Sequence, residues 1–324
     1  MEVSILIPAW NEASVIKRNL LSLNRLAYPK DQCEVILIGG GADQTYSIAL
    51  NYTPYISAFA QYKVIEQNQA GKNHAIMRGL SIAQGKFIVL LDADVIVDKD
   101  WLYNMVMPIK KNKNRITISN PFPIKRSLIS QFYMINKEFY IEKLTHCGGG
   151  GGIAFFNDIP PAMHSVIFDP RYKIGVDYLA VERLKNIGRE PYFCKEAKIY
   201  TYFPSSFKYF MKGELRWTTA YLIINGISYK TLSKLIIFFL SLLLCIVPLN
   251  FFVWAASILC QLGYIIKRIQ MVNSVSFKGK RMSSYLSYIF LSYIYLGINL
   301  VSNGRYLLGF AHNVFLSQGE RKES

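Results

Sequence analysis

The sequence predicts an α/β fold built on a mostly parallel sheet, followed by apolar C-terminal helices that cross a membrane. Three observations carry this expectation. Short β-branched runs alternate with helix-patterned segments over residues 1–120; residues 232–266 hold a single charge, Lys234; and the formal charge of +16 on 324 residues is unevenly spread. Residues 1–100 carry 9 basic and 10 acidic side chains, residues 101–230 carry 19 and 9, and residues 231–324 carry 9 and 2. Hydrophobic residues make up 52% of the chain, which excludes a disordered or fibrous protein. The cationic surplus leaves two partner classes, nucleic acid and a membrane surface.

The elements follow in order. Residues 3–8, 35–39, 63–66, 87–91 and 115–119 are short apolar runs bounded by turn formers and read as strands. Between them, residues 14–26, 42–51, 73–83 and 99–110 read as helices. Strand–helix alternation of this kind argues a parallel sheet with helices on its faces, and ligands in such sheets bind beyond the carboxyl ends of the strands. The loops to search are therefore residues 9–12, 39–43, 67–72 and 92–95. The N-terminus opens directly on an apolar run without the basic region of a signal peptide, so the first strand is expected to begin at once. Five scattered cysteines with no CxxC pair indicate neither disulfides nor zinc, and suit a reducing compartment.

As one helix, residues 232–266 would be about 52 Å long against a hydrocarbon core of about 30 Å. Pro248 and Asn250 break the stretch into two spans, 230–247 and 250–266. A third, 285–310, follows a segment carrying Lys267, Arg268, Lys278, Lys280 and Arg281 and no acid. The positive-inside rule puts that segment in the cytoplasm, so an even number of crossings separates it from a cytoplasmic N-terminal domain. Buried helices of a large soluble protein are the alternative. Asn303 and Arg305, within the third span, should face protein, water or a headgroup. Residues 124–144 are amphipathic, with Leu128, Phe132, Ile135 and Phe139 against Lys125, Arg126, Lys137 and Lys143. That helix either lies on anionic headgroups or packs against the protein's own core. No basic stripe interleaved with stacking aromatics stands outside the membrane-proximal region, so nucleic acid is not expected as a partner. The expected organisation is a catalytic domain over 1–205, an interfacial segment over 206–229, a membrane domain over 230–312 and a tail over 313–324.

Leu90-Leu-Asp92-Ala-Asp94 is the strongest chemical signal: an apolar strand ends and two carboxylates appear two residues apart. Such a pair can hold a hard cation, Mg²⁺ or Mn²⁺, whose remaining positions go to diphosphate oxygens and water. Capping of the following helix is the other use of acids at that place, and suits Asp98 and Asp100 better. Pro8-Ala-Trp-Asn-Glu12 follows the first strand, Gly39-Gly-Gly-Ala-Asp43 the second and Ala70-Gly-Lys72-Asn73 the third. Four strand ends thus carry acids, glycines for close backbone approach and one lysine, which together describe a nucleotide diphosphate site.

This motif order resembles the family 2 glycosyltransferases of the GT-A fold, with cellulose-synthase-like and dolichyl-phosphate-sugar-synthase-like members as nearest relatives, over roughly residues 2–217. The resemblance implies that Pro8, Ala9 and Glu12 line the base and ribose pocket, with Gly40 and Asp43 beyond the second strand. It implies that Lys72 lies near the diphosphate and that Asp94, with Asp92, holds the metal. The family's usual acid pair after the second strand is reduced here to Asp43. His146, Cys147 and Gly148, heading a five-glycine run, resemble the segment that holds the acceptor. Gly175-Val-Asp177 resembles a further acid pair in which Val176 replaces the first acid, leaving Asp177 as base. Gly213-Glu-Leu-Arg216-Trp217 resembles the QxxRW motif with Gly213 in place of glutamine, Arg216 contacting the diphosphate and Trp217 the acceptor.

The expected activity is metal-dependent, inverting, nonprocessive transfer from a nucleotide-diphosphate sugar, GDP-mannose or a UDP-hexose. Its acceptor is a polyprenyl or dolichyl phosphate or a polyprenyl-linked glycan, as in glycolipid or N-glycan precursor assembly. The expected location is the cell membrane with the catalytic domain cytoplasmic, and no obligate protein partner is inferred. A processive polysaccharide synthase and a non-catalytic nucleotide-sugar-binding protein are the alternatives.

Overall fold

The computed structural model describes residues 1–140, 151–172, 175–204, 206–226, 228–246, 251–274 and 282–307. The chain divides into two compact units: Met1–Ile124 with Lys143–Tyr202, and Lys125–Glu142 with Phe203–Ser324.

The first unit runs β1 (Val3–Trp10), α1 (Ile16–Leu23), β2 (Cys33–Gly40), α2 (Thr45–Asn51), β3 (Gln61–Gln67), α3 (Lys72–Leu80), β4 (Phe87–Leu91), β5 (Ile96–Val97), α4 (Trp101–Lys111) and β6 (Arg115–Pro123). After α5 (Leu128–Tyr140), which belongs to the second unit, come β7 (Gly152–Phe156), α6 (Pro161–Ile167), α7 (Val176–Asn186) and β8 (Glu190–Thr201). All five strands and four helices read from residues 1–120 are present, the helix ends shifted by at most three residues.

Among the described residues eight strands form one sheet in the order β3-β2-β1-β4-β7-β6-β8-β5. The first four are parallel neighbours. Four of the seven pairings are parallel, as the expected mostly parallel sheet requires; the antiparallel ones lie beyond β4, where β7 runs antiparallel to both β4 and β6, and β5 antiparallel to β8, while β6 and β8 are parallel.

Both faces of β1, β2 and β4 are buried, which is why these strands read as continuous apolar runs rather than alternating ones. Val3, Ile5 and Ile7 of β1 pack with Leu20 of α1, Ala49 of α2 and Trp101 of α4. Leu6, pointing the other way, packs with Ile76 of α3, Ile167 of α6 and Leu184 of α7. With the strand interiors sealed on both sides, their carboxyl-end loops remain the accessible edge.

The second unit holds α5, α8 (Phe207–Asn225), α9 (Tyr229–Ile246), α10 (Phe251–Ser274) and α11 (Met282–Leu307). Ile129, Phe132 and Ile135 of α5 pack with Phe210 of α8, Met271 of α10 and Tyr288, Leu291 and Ile298 of α11. Phe132 and Ile135 of the expected apolar stripe are thus covered by the protein's own helices, Leu128 stays exposed, and the Phe139 side chain lies outside the described residues. Tyr285–Asn303 is long and apolar enough to cross a membrane, and Thr231–Cys245 is a shorter apolar helix. α9 ends at Ile246 and α10 begins at Phe251; Pro248 itself lies outside the described residues. α10 continues through Lys267 and Arg268 to Ser274, past the expected end at residue 266, because no Pro or Gly interrupts it there. Asn303, expected to face protein, water or a headgroup, is buried and donates to the Asn299 carbonyl at 2.7 Å within its own helix. The side chain of Arg305 lies outside the described residues.

Candidate active site

The turn after β1 is fastened to the turn after β2. Asn11 adopts a φ of 57°, its N–H donating to the Gly40 carbonyl at 3.0 Å and its side-chain oxygen accepting from the Ala42 N–H at 2.8 Å. The Glu12 N–H donates to the Thr45 hydroxyl oxygen at 2.7 Å, and the Ala13 N–H to Asp43 Oδ2 at 3.0 Å. Asp43 Oδ1 accepts from the Thr45 N–H and hydroxyl. Burial opposes the charge of Asp43, but these hydrogen bonds from Thr45 and Ala13 outweigh it and hold its carboxyl below the ordinary range. Its carboxylate therefore braces the turn that presents Glu12. A Cβ on Gly40 would lie 2.3 Å from the Gln67 carbonyl and 2.9 Å from the Trp10 ring, so glycine is what lets these three strand ends close up.

The loop after β3 is braced by Gln67, whose side-chain amide donates to the Gln69 carbonyl at 2.6 Å and to the Gly71 carbonyl at 3.0 Å. Gly71 has φ +138°, a region that favours glycine, and from it Lys72 starts α3. The Lys72 ammonium lies 2.5 Å from Asp92 Oδ1 and 2.7 Å from Asp177 Oδ1. Asp92 directly follows β4, and its N–H donates to the Gly151 carbonyl at 3.0 Å; Asp177 sits in the first turn of α7. Residues far apart in sequence, 72, 92 and 177, are thereby brought together.

One ammonium faces three carboxylates, since Asp94 stands two residues from Asp92. Burial disfavours charge on Lys72, yet Asp177 and then Asp92 outweigh it and raise its pKa, keeping it protonated. Burial pushes Asp177 up, against the pull of Lys72 and with the help of Asp92. Burial and then the Asp92 charge push Asp94 up to about 6, while Lys72 opposes them. The Asp94 side chain itself reaches solvent, which screens part of that shift. The cluster as a whole holds surplus negative charge at the open end of the sheet.

Pro8, Ala9, Trp10, Glu12, Gln67, Lys72, Asp92, Ala93 and Asp94 line one cleft of about 240 Å³. Six of the eight donor-site residues expected from sequence are in that lining; Gly40 and Asp43 instead support it from behind. Trp10, Gln67 and Ala93 are additional. The first lies inside the Pro8–Glu12 motif and the second ends β3, so the strand-end rule applied residue by residue finds both. The cleft is smaller than the ~300–1,000 Å³ of ligand pockets, so its lining covers only part of a nucleotide sugar. Among the described residues no group of three or more His, Cys, Asp and Glu forms a cation cage.

Arg216 and Trp217 lie on α8 of the second unit, which is described by itself; the guanidinium stands 5.5 Å from the indole ring, and Trp217 is half exposed. On the same helix Glu214 is buried and accepts from the Tyr133 hydroxyl, and burial raises its pKa against that bond. His146, Cys147 and Gly148 lie outside the described residues.

Residues 4–155 match the family model described as Glycosyl transferase family 2. The Bacillus subtilis protein described as "Probable glycosyltransferase YdaM" is 25% identical over 255 residues, covering 73% of this chain and 60% of that protein. Glycosyltransferase AglE of Haloferax volcanii is 31% identical over 109 residues, 33% of this chain and 35% of that one. Beta-monoglucosyldiacylglycerol synthase of Trichormus variabilis is 32% identical over 112 residues, 34% and 24% of the two chains. The chain thus spans less than two thirds of each of these relatives. Among solved structures, the mannosyltransferase PcManGT of Pyrobaculum calidifontis superposes with a TM-score of 0.58 at 16% identity, covering 93% of this chain and 86% of the other. Over residues 4–155 the chain is a family 2 glycosyltransferase domain, and its sheet and helices have the GT-A fold.

Proposed function

We propose that the protein is a metal-dependent, inverting, nonprocessive glycosyltransferase. It moves a sugar from a nucleotide-diphosphate sugar to a polyprenyl or dolichyl phosphate, or to a polyprenyl-linked glycan, at a membrane surface. The observation that carries this reading is the Lys72 ammonium held between Asp92 and Asp177, beside Asp94, at the carboxyl end of β4.

Pro8, Ala9, Trp10, Glu12 and Gln67 would take the base and ribose, with Gly40 and Asp43 shaping the wall behind them. Lys72 would complement the diphosphate charge, the role that the motif resemblance also implies for Arg216. Two carboxylates on one turn and a surplus of negative charge fit Mg²⁺ or Mn²⁺, which commonly take one or two protein carboxylates and complete their shell with phosphate oxygens and water. Asp94 and Asp92 would hold that ion, which when bound neutralises charge on the leaving nucleotide diphosphate. The Pyrobaculum mannosyltransferase, solved with GDP-Man and Mn²⁺, supports a donor of this kind, GDP-mannose or a UDP-hexose.

Asp177 takes the proton of an acceptor hydroxyl as its oxygen bonds to the anomeric carbon, on the face opposite the departing diphosphate, so the configuration inverts. Burial raises Asp177 and makes it a stronger base than a free carboxylate. Trp217, with His146, Cys147 and Gly148, would hold the acceptor. Gly213 in place of a glutamine favours single transfer over polymerisation. The exposed apolar side chains Ile237, Leu240, Leu259, Leu286 and Phe290 on α9 to α11 support insertion of these helices as three spans. Exposed Tyr209, Trp217 and Tyr221 on α8, beside Lys208 and Lys212, support a cytoplasmic interfacial position for that helix. The Trichormus relative, by name a glucosyl-diacylglycerol synthase, supports a lipid-borne acceptor.

The test is turnover of the detergent-purified protein with Mn²⁺ or Mg²⁺ and a panel of UDP- and GDP-sugars, offering polyprenyl phosphate or lipid extract and detecting the glycolipid. Turnover indifferent to chelator and to Asp94→Asn would sink the metal assignment. Asp177→Asn separates the acceptors. A sugar hydroxyl needs a base, and loss of one costs about 10²–10⁴-fold. A phosphate is already an anion, so the same change has little effect. Indifference with both removes Asp177 from the mechanism.

A further inference from the structure

Asn19 is a fully buried amide in the middle of α1. Its Nδ2 donates to two carbonyls, Asp92 O at 3.0 Å and Val95 O at 2.9 Å. Those carbonyls bracket the turn Asp92-Ala-Asp94-Val95, so both N–H groups of one side chain are spent on the segment that carries the two site carboxylates. The Asn19 Oδ1 is buried without a hydrogen-bond partner. An orphaned buried acceptor costs about as much as two neutral hydrogen bonds return, so the amide adds little net stability. The same helix fills its core face with Ile16, Leu20 and Leu23, and an apolar residue at position 19 would avoid the orphan. What an apolar residue cannot do is hold both ends of that turn.

Resting on the reading of Asp92 and Asp94 as the groups that meet the cation and diphosphate, we propose that Asn19 is a positioning residue of the transfer reaction. Its amide fixes the Asp92–Val95 turn so that both carboxylates face the cleft together. Ser22, one turn further along α1, supplies the comparison: its hydroxyl donates to Asn19 O at 2.7 Å and accepts from the Val97 N–H at 3.1 Å. It is equally buried and also ties α1 to the chain after β4, but beyond the acidic turn.

The experiment titrates Mn²⁺ into the full-length, detergent-solubilised protein with UDP, and separately with GDP, following the electron paramagnetic resonance signal of free Mn²⁺. Thermal unfolding of each variant is recorded alongside. Asn19→Ala is expected to weaken Mn²⁺ affinity by about 10–100-fold, the range for groups that orient metal ligands. Ser22→Ala is expected to lower the unfolding midpoint comparably and leave the affinity unchanged. Asn19→Ser keeps one donor on a shorter side chain and should fall between Asn19→Ala and the unaltered protein; it also serves if Asn19→Ala does not fold. Unchanged affinity in the Asn19 variants, with affinity lost in Asp94→Asn, overturns the proposal alone. Equal weakening by Ser22→Ala overturns it as well, since the effect would then be one of general stability. An unaltered protein that binds no Mn²⁺, or an Asp94→Asn variant that binds it normally, overturns the cation reading and this inference with it.

Discussion

The two ends of the parallel strands carry clusters built from the same parts and put to different uses. At the amino end the fully buried Glu34 accepts from the Ser4 hydroxyl at 2.7 Å, the Gln84 N–H at 2.6 Å and the Lys63 ammonium at 3.2 Å. At the carboxyl end Lys72 meets Asp92 and Asp177, with Asp94 beside them. The two lysine side chains are equally exposed, 25% each, but the carboxylates differ: Glu34 is at 0%, Asp92 at 29% and Asp177 at 20%. Stoichiometry differs as well. One carboxylate against one ammonium and two neutral donors is a closed account, whereas three carboxylates against one ammonium leave charge to be met by something else. Balanced charge fastens a sheet; unbalanced charge at its open edge binds.

That contrast can be broken or sharpened by substitution. The largest effect is expected from Asp94→Asn, which should lower the rate of sugar transfer by about 10²–10³-fold, the range for deleting one electrostatic group at developing charge. Its thermal midpoint should hold or rise, because a like charge leaves the cluster. An unimpaired rate would break the comparison at its functional end. Glu34→Ala should do the reverse, orphaning the buried Ser4 hydroxyl and leaving the Gln84 N–H and the Lys63 ammonium without their shared acceptor, at a cost of about 2–4 kcal/mol in urea unfolding while the folded protein keeps its donor affinity. Gly40→Ala forces a methyl against backbone and should cost about 1–3 kcal/mol in the same unfolding measurement. Unlike Glu34→Ala, it should also weaken nucleotide binding, because the displaced atoms belong to the cleft wall.

The smallest effect is expected from Arg171→Ala and is read in the pH dependence of stability. The Arg171 hydrogen bonds, first among several causes, hold Asp169 at about 2 against an ordinary 3.8. A folded-state value below the unfolded one adds stability that is present above about pH 4 and disappears as pH falls toward 2. Without Arg171 the Asp169 value moves back up and unfolding free energy should vary less across that window. An unchanged slope between pH 5 and 2 would detach Asp169 from the acid response.

The strands and the loops that carry the site were legible because a strand buried on both faces leaves an unbroken apolar run with its functional residues at the end. The direction of β7 was not, since residues 153–156 are a short apolar run that looks the same parallel or antiparallel. Asp43 carried the chemistry of a ligand in the sequence and is engaged with Thr45 and Ala13 in the structure: the two Thr45 donors are local to its own turn, and the Ala13 N–H reaches it only once the β1 and β2 turns meet. Asn19, between Arg18 and Leu20, reads as an ordinary helix-surface amide until the turn after β4 is packed against it. The apolar stripe of α5 was visible, but which surface it covers depends on residues 75 to 169 positions away.

The assignment of α5 to the helical unit means that the chain passes between its two units three times, at residues 124–125, 142–143 and 202–203. Truncation after Tyr202, the obvious way to isolate a water-soluble catalytic part, would keep α5 while removing Phe210, Met271, Tyr288 and Leu291. Ile129, Phe132 and Ile135 would then be bared to solvent, and such a fragment is expected to aggregate. A soluble version calls for excision of residues 125–142 in favour of a short polar bridge. The helical unit is, in that sense, threaded into the gene of the sheet-bearing unit, and neither can be inherited or engineered as a simple cassette.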